Sequence, residues 1–338
     1  MKQVFNLLSI IRASRQRWQS RIILLFLVSI AIVVVISACG NRVQIHSSLE
    51  NASFPMRTVQ HALGETVIPE DPQRIITLVP GAVLDSLLAL EAKPVGMVVF
   101  NNRTYEVPPY LADQVIDIQS VGNVGQPNLE SIVRLQPDLI IISDFQRRLY
   151  SKLSEIAPTV AIGSRVDTWR ESFLSLADLV NKSDTAQQLL AQYKQRADIF
   201  KAAIAEQADS PEVSVVRVRA DGVFLYVKSS PVGQILDELG IQRPAAQDVF
   251  LQRSPRISIS LEELAKADGD VMFVYGLEFR DTQPAYEQLQ ASPLWQQLKA
   301  VQTNRVYVVP DSYWSFPGIQ GLDLLIDDLL THLVQESN

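Results

Sequence analysis

Between Ser183 and Pro211 the sequence changes period, and that change limits what the chain can fold into. Leu189, Tyr193, Phe200 and Ile204 recur at helical spacing. Ser183 is placed to cap this helix, Asp184 sits in its first turn, and Ser210-Pro211 ends it. At 1.5 Å per residue, such a segment is a rod of about 35–40 Å. On its N-terminal side lie the short apolar runs "RIITLVP" (from Arg74), "VGMVVF" (from Val95), "DLIIIS" (from Asp138) and "TVAIG" (from Thr159). On its C-terminal side lie "VSVVRVR" (from Val213), "VFLYV" (from Val223), "DVMFVYG" (from Asp270) and "RVYVVP" (from Arg305). These runs are short and almost continuously apolar, as strands buried on both faces are. They alternate with helix-like segments, which predicts parallel strands joined by crossover helices.

The expected fold is therefore α/β: two Rossmann-like lobes with mainly parallel sheets, joined by one long backbone helix. The N-terminal lobe is expected over 61–165, the linker helix region over 166–210 and the C-terminal lobe over 211–338. A continuous helix bends little, so the lobes should close on each other by small angles. The halves also echo one another. Leu129-Glu130 precedes Asp138-Leu139 by the same interval at which Leu261-Glu262 precedes Asp270-Val271, which suggests a duplicated lobe plan.

The N-terminus has a different character. Residues 1–21 carry five basic side chains and no acid, residues 22–38 carry no charge, and the only cysteine of the 338 residues, Cys39, follows at once. A basic stretch, an apolar stretch and small residues make up a secretory signal, and "ISAC" (Ile36 to Cys39) looks like a bacterial lipobox. On this reading 1–38 is a lipoprotein signal peptide, Cys39 takes the lipid and 39–60 is a tether without sustained periodicity. The protein would then sit in the cell envelope, lipid-anchored and facing the periplasm or the extracellular side. The alternative is a cysteine packed at the end of an uncleaved membrane helix. Without 1–38 the chain holds 25 basic and 37 acidic residues, a net charge of −12, which gives no general attraction for nucleic acid.

In an open parallel sheet, ligands sit beyond the carboxyl ends of the strands. Arginines and aromatics dominate there: Arg103 after "VVF", Phe145 and Arg147 after "LIIIS", Arg217 and Arg219 at the end of "VSVVRVR", Tyr275 at the end of "VMFVY" and Trp314 after "VYVVP". In an acidic protein, guanidinium groups and rings facing a cleft suit a bulky anion with flat or apolar parts. Strand-end arginines can also reach solvent or pair with local carboxylates, and Tyr275 and Trp314 can serve as core aromatics. Glu130 and Glu262 each begin a short helix of their own lobe, where a carboxylate favours the helix dipole. As matched positions they also offer two acidic knobs to a two-fold symmetric partner.

Catalytic signatures are missing: no GxSxG elbow, GxxxxGK[ST] phosphate loop or HExxH occurs. The three histidines, His46, His61 and His332, are too scattered to gather round a bare metal ion. The expectation is a protein that is not an enzyme, has no metal site of its own and carries any metal already wrapped in a chelator. His61 is expected at the surface.

"VIPEDPQRIITLVPGAVLDSLLALEAKPVG" (from Val67), "VGNVGQPNLESIVRLQPDLIII" (from Val121), "SPLWQQLKAVQTNRVYVVP" (from Ser292) and "GLDLLIDDLLTHL" (from Gly321), in that order, resemble the substrate-binding lipoproteins of bacterial ABC importers for ferric siderophores, haem and cobalamin. The likeness covers about Gly64 to Val334. It implies two α/β lobes on one backbone helix and a ligand held between them. An Fe(III)-siderophore is the leading ligand, with cobalamin or haem as the alternative and a non-transport sensory lipoprotein as a more distant one. By motif position, Glu130 and Glu262 would dock on the permease dimer, which works with its ATPase, and Ser230 lies where other members contact ligand. Some hydroxamate binders carry an Arg just ahead of the "PNLE" motif; here the residues are "NVGQ".

Overall fold

Strands β1 (Met56–His61) and β2 (Gly64–Pro69) form an antiparallel hairpin in which alternate residues of β1 are half-buried. The computed structural model describes residues 55–163, 168–207, 210–252 and 254–334. The expected signal peptide, Cys39 and most of the tether lie outside the described residues. The tether expected over 39–60 does not run that far, because Met56 to His61 is already paired strand.

Six strands follow: β3 (Ile75–Thr77), β4 (Gly96–Val99), β5 (Gln119–Asn123), β6 (Gln126–Pro127), β7 (Leu139–Ser143) and β8 (Thr159–Ile162). Their order is β6-β5-β4-β3-β7-β8, parallel throughout except for β6. Both faces are covered. Ile75, Leu139 and Ile141 enter one apolar cluster, and Ile76, Ile140 and Ile142 enter another, which accounts for the continuously apolar runs. The chain leaves β3 in one direction and returns to its other side at β7, so the carboxyl ends of these strands mark a switch point.

The C-terminal sheet consists of β9 (Val213–Arg219), β10 (Gly222–Tyr226), β11 (Arg256–Ile259), β12 (Val271–Tyr275) and β13 (Val306–Val308), in the order β11-β10-β9-β12-β13. This sheet is mixed. β9, β12 and β13 are parallel, but β10 is antiparallel to both β9 and β11. Only Ala220 and Asp221 connect β9 to β10, too few residues for a crossover, and Gly222 takes the positive φ of 142° that completes the turn.

Between the lobes runs the helix Ser183–Ala205, preceded by the helix Trp169–Leu179 with its Thr168–Glu171 capping box. The rod buries Ala186, Leu190, Tyr193, Ala197 and Phe200, one stripe at alternating spacings of four and three. Ser183 does not cap it; Lys182 holds that position and Ser183 is the first helical residue.

The C-terminal helix Ile319–Leu329 returns to the N-terminal lobe, where Gln320 N and Gly321 N both donate to Asp85 of the helix Ala82–Ala89 at 2.9 Å. Its residues Leu322, Leu325 and Leu329 share a cluster with Leu87, Phe200 and Val215. This segment therefore fastens both lobes and is not confined to the second.

Candidate functional site

The loop after β4 and the loop after β12 meet across the gap between the lobes. Thr104 N donates to Glu278 O at 2.8 Å, Arg280 Nε donates to Arg103 O at 2.8 Å, and Arg103 and Phe279 form an antiparallel bridge. The second loop turns at Gly276, φ 100°, where a Cβ would lie 2.4 Å from Val218 O. Only glycine allows the loop to pass so closely over β9.

This backbone contact carries Arg103 into the opposite lobe. Its guanidinium lies 4.5 Å from the centre of the Phe100 ring and 4.3 Å from that of Phe279, and it pairs with Asp311. Asp311 opens the short helix Asp311–Trp314 just after Pro310. From β9, Arg217 reaches the same carboxylate: Nη2 is 2.9 Å from Asp311 Oδ1, and Nη1 donates to Tyr226 Oη at 2.9 Å. One arginine from each lobe thus grips one carboxylate, with side chains 12 % exposed for Arg103, 7 % for Arg217 and 0 % for Asp311.

The grip is incomplete. Arg103 Nε and Arg217 Nε are buried without a hydrogen-bond partner, and so is Asp311 Oδ1, near Arg217 in distance but outside hydrogen-bond alignment. Beside this group, Glu278 accepts from Tyr105 Oη at 3.2 Å and from Ser312 N at 3.1 Å. Burial, and next the Asp311 charge, push the Glu278 carboxyl above its usual range. A third buried arginine, Arg243, donates to Val213 O at 3.1 Å, to Tyr226 O at 2.7 Å and to the Gln247 amide oxygen. Its Nη1 has no partner, and burial brings its pKa down to about 10. Cation therefore exceeds anion in the interior of this region, the electrostatic condition for holding an anion.

Of the residues expected here, Arg103, Arg217 and Tyr275 are brought together; the Tyr275 ring centre lies 5.5 Å from the Arg217 guanidinium. Arg219 is not with them: it pairs with Asp221 of its own turn at 2.9 Å and lies over Phe224. Arg147 pairs with Asp144 one turn away and is largely exposed, and Phe145 is 80 % exposed. Trp314, expected to wall the ligand, is a core residue, stacked on Phe273 at 4.5 Å with Nε1 donating to Asp328 at 2.8 Å. Ser230 is fully buried as the cap of the helix Pro231–Glu238, accepting from Gly233 N at 2.9 Å and donating to Val227 O at 2.6 Å. His61 is half-buried and bonded to Thr66 Oγ1 at 2.9 Å, so it is no simple surface residue.

Glu130 and Glu262 are both exposed in first turns, one in the helix Leu129–Arg134 capped by Asn128, the other in the 3-10 helix Leu261–Ala267 capped by Ser260. The strand-end rule that points to Arg103 places Tyr105, Glu278 and Asp311 here as well, but does not mark the acids as the partners of the arginines. Tyr226 and Arg243 carried no signal, because one ends an antiparallel strand and the other lies in a loop.

The model of the periplasmic binding protein family matches residues 78–313. The chain is 33% identical over 316 residues to a probable siderophore-binding lipoprotein, YfiY, of Bacillus subtilis, covering 90% of this chain and 95% of that one. It is 30% identical over 318 residues to the Fe(3+)-citrate-binding protein YfmC of the same species, covering 93% and 97%. Among solved structures, Staphylococcus aureus SirA complexed with staphyloferrin B superposes with a TM-score of 0.73 at 29% identity, over 82% of this chain and 98% of that one.

Proposed function

The chain belongs to the periplasmic binding protein family, and on that premise we propose that it captures an anionic ferric siderophore between its lobes and delivers it to the permease of an ABC importer. The family consists of binding proteins and not of enzymes. Iron is the cargo, its coordination shell filled by the chelator, so the protein reads outer oxygens and charge. The observation that carries this reading is the convergence of Arg103 and Arg217 from opposite lobes on one buried carboxylate, with donors left over on both. Relatives named for a siderophore and for Fe(3+)-citrate support the same ligand class. A haem ligand would ask for a tyrosine free to reach iron; of the two candidates, Tyr275 is fully enclosed and Tyr313 is half-buried.

Glu130 and Glu262 fit the role of docking knobs for the two halves of the permease, whose ATPase drives release. Cys39, outside the described residues, is the proposed lipid attachment, and among the described residues no helix is long and apolar enough to cross a membrane. The test is a fluorescence titration with ferric citrate, a ferric catecholate, a ferric trihydroxamate, cobalamin and haem. A ferric chelate should quench tryptophan, and Arg217→Ala should weaken that binding by about tenfold or more, the effect of losing a charged hydrogen-bond donor. Added salt should weaken it too. Saturation by cobalamin or haem alone would overturn the assignment.

A further inference from the structure

We propose that Asp311 is a built-in substitute for a carboxylate of the ligand: it fills an anion subsite made jointly by the two lobes, and only a chelate bearing its own peripheral carboxylate displaces it efficiently. The inference rests on the reading above and names the chelate class.

The subsite is defined by what holds Asp311. Arg103 arrives from the N-terminal lobe and Arg217 from the C-terminal sheet, and both charges end on the same fully buried carboxylate. A guanidinium pair of this kind is the arrangement that recognises a free carboxylate. As long as Asp311 occupies it, the pair also holds the lobes together, because Arg103 is the only one of the three that the N-terminal lobe supplies. A ligand that enters between the lobes has to break the Arg103–Asp311 contact.

The internal carboxylate fills the subsite poorly. Arg103 Nε and Arg217 Nε lack acceptors, and Asp311 Oδ1 lacks an aligned donor. Buried polar groups without partners each cost free energy. A ligand presenting several oxygens can engage these donors, whereas Asp311 is limited by its attachment to the start of a short helix. Exchange therefore favours such a ligand.

Charge decides which ligands succeed. A carboxylate replaces Asp311 charge for charge and leaves the charge balance of the two arginines unchanged, while Asp311 moves toward solvent as the gap widens. A neutral trihydroxamate that pushed Asp311 aside would leave buried guanidinium groups without a counter-ion, and one that left it in place would face a carboxylate. The internal anion thus works as a filter: it is a small obstacle to anionic chelates and a large one to neutral chelates.

Calorimetric titration of the full-length chain in detergent tests this, with metal-free citrate, ferric citrate and a ferric trihydroxamate as probes. Asp311→Asn, with the competitor neutralised, is expected to bind both citrate probes about tenfold or more tightly than the unaltered protein, and the trihydroxamate more tightly as well, since the carboxylate that opposes a neutral chelate is gone. Citrate binding that is unchanged or weakened in Asp311→Asn overturns the proposal, because it would make Asp311 a support for the arginines. Should that variant not fold, Arg103→Gln serves instead: citrate binding should fall by about tenfold more than trihydroxamate binding, and an equal effect on both overturns the proposal. Failure of the transport reading has a different signature, in which no ferric chelate binds but metal-free citrate still responds to Asp311→Asn.

Discussion

Arg217 and Arg219 are two residues apart on one strand and have different fates. Arg217 lies within the sheet, opposite Phe224 and beside Tyr275, and is 6 % exposed; Arg219 stands at the hairpin turn, where Asp221 is the nearest carboxylate. A strand-end rule treats both alike, whereas Asp221-Gly222 between the two apolar runs marks a hairpin turn, and that turn is what separates them. Trp314 shows the opposite failure. Its strand-end position suggested a ligand wall, but the partner that decides its role, Asp328, lies in the C-terminal helix. Trp314→Phe should therefore destabilise the fold by about 1–3 kcal/mol, since Asp328 loses its indole donor. That is a drop of several degrees in thermal midpoint, measurable by calorimetry. Affinity for a ferric chelate should stay within about twofold; a large loss of affinity at unchanged stability would put the indole at the ligand.

At the scale of elements, the C-terminal helix depends on a residue far away in sequence. Asp85 accepts from Gln320 N, Gly321 N and Tyr110 Oη. It does what a local cap would do for the first turn of the helix Ile319–Leu329. Gly318 and Gly321 make the approach possible, for a Cβ on Gly318 would lie 2.4 Å from Asp85 Cγ. Burial raises the Asp85 pKa from 3.8 to about 6, against the opposing effect of those three donors, with the Asp323 charge adding to the rise. The folded protein thus holds this proton more tightly than the unfolded chain does. The stabilising contribution is complete below pH 4 and is lost as the pH rises through 6, amounting to about 3 kcal/mol at most. Asp85→Asn cannot titrate, so the fall in its melting temperature between pH 4 and pH 7 should be shallower than that of the unaltered protein; parallel curves would refute the assignment. No local pattern marked this pairing. "GLDLLIDDLL" reads as an amphipathic helix, and its partner is a single Asp in "AVLDSLLA".

At the scale of the molecule, the plan of two lobes on a rod was legible because buried strands and an amphipathic helix have different hydrophobic periods. Ile140 and Ile142 facing one cluster while Leu139 and Ile141 face the other could be expected from the unbroken run "LIII". The return of the C-terminal helix to the first lobe could not, since it depends on which surfaces are left to cover once both sheets exist. This return, the rod and the clasp at Arg103 together tie the lobes at three places. Glu130 and Glu262 remain exposed on short first turns, free for a partner. Glu130→Arg combined with Glu262→Arg should abolish uptake in cells while changing stability by less than about 1 kcal/mol in total and leaving chelate affinity unaltered. Uptake at the normal rate would remove the docking role from both.

Guanidinium groups from the two lobes are proposed to grip one anion whose iron no side chain touches. A crystal structure with ferric citrate bound tests it most directly. The account predicts ligand oxygens within hydrogen-bonding distance of both Arg103 and Arg217, Asp311 turned away from them, and no protein atom in the coordination shell of the iron. A ligand held elsewhere, or an iron bound by a tyrosine or a carboxylate of the chain, would contradict it.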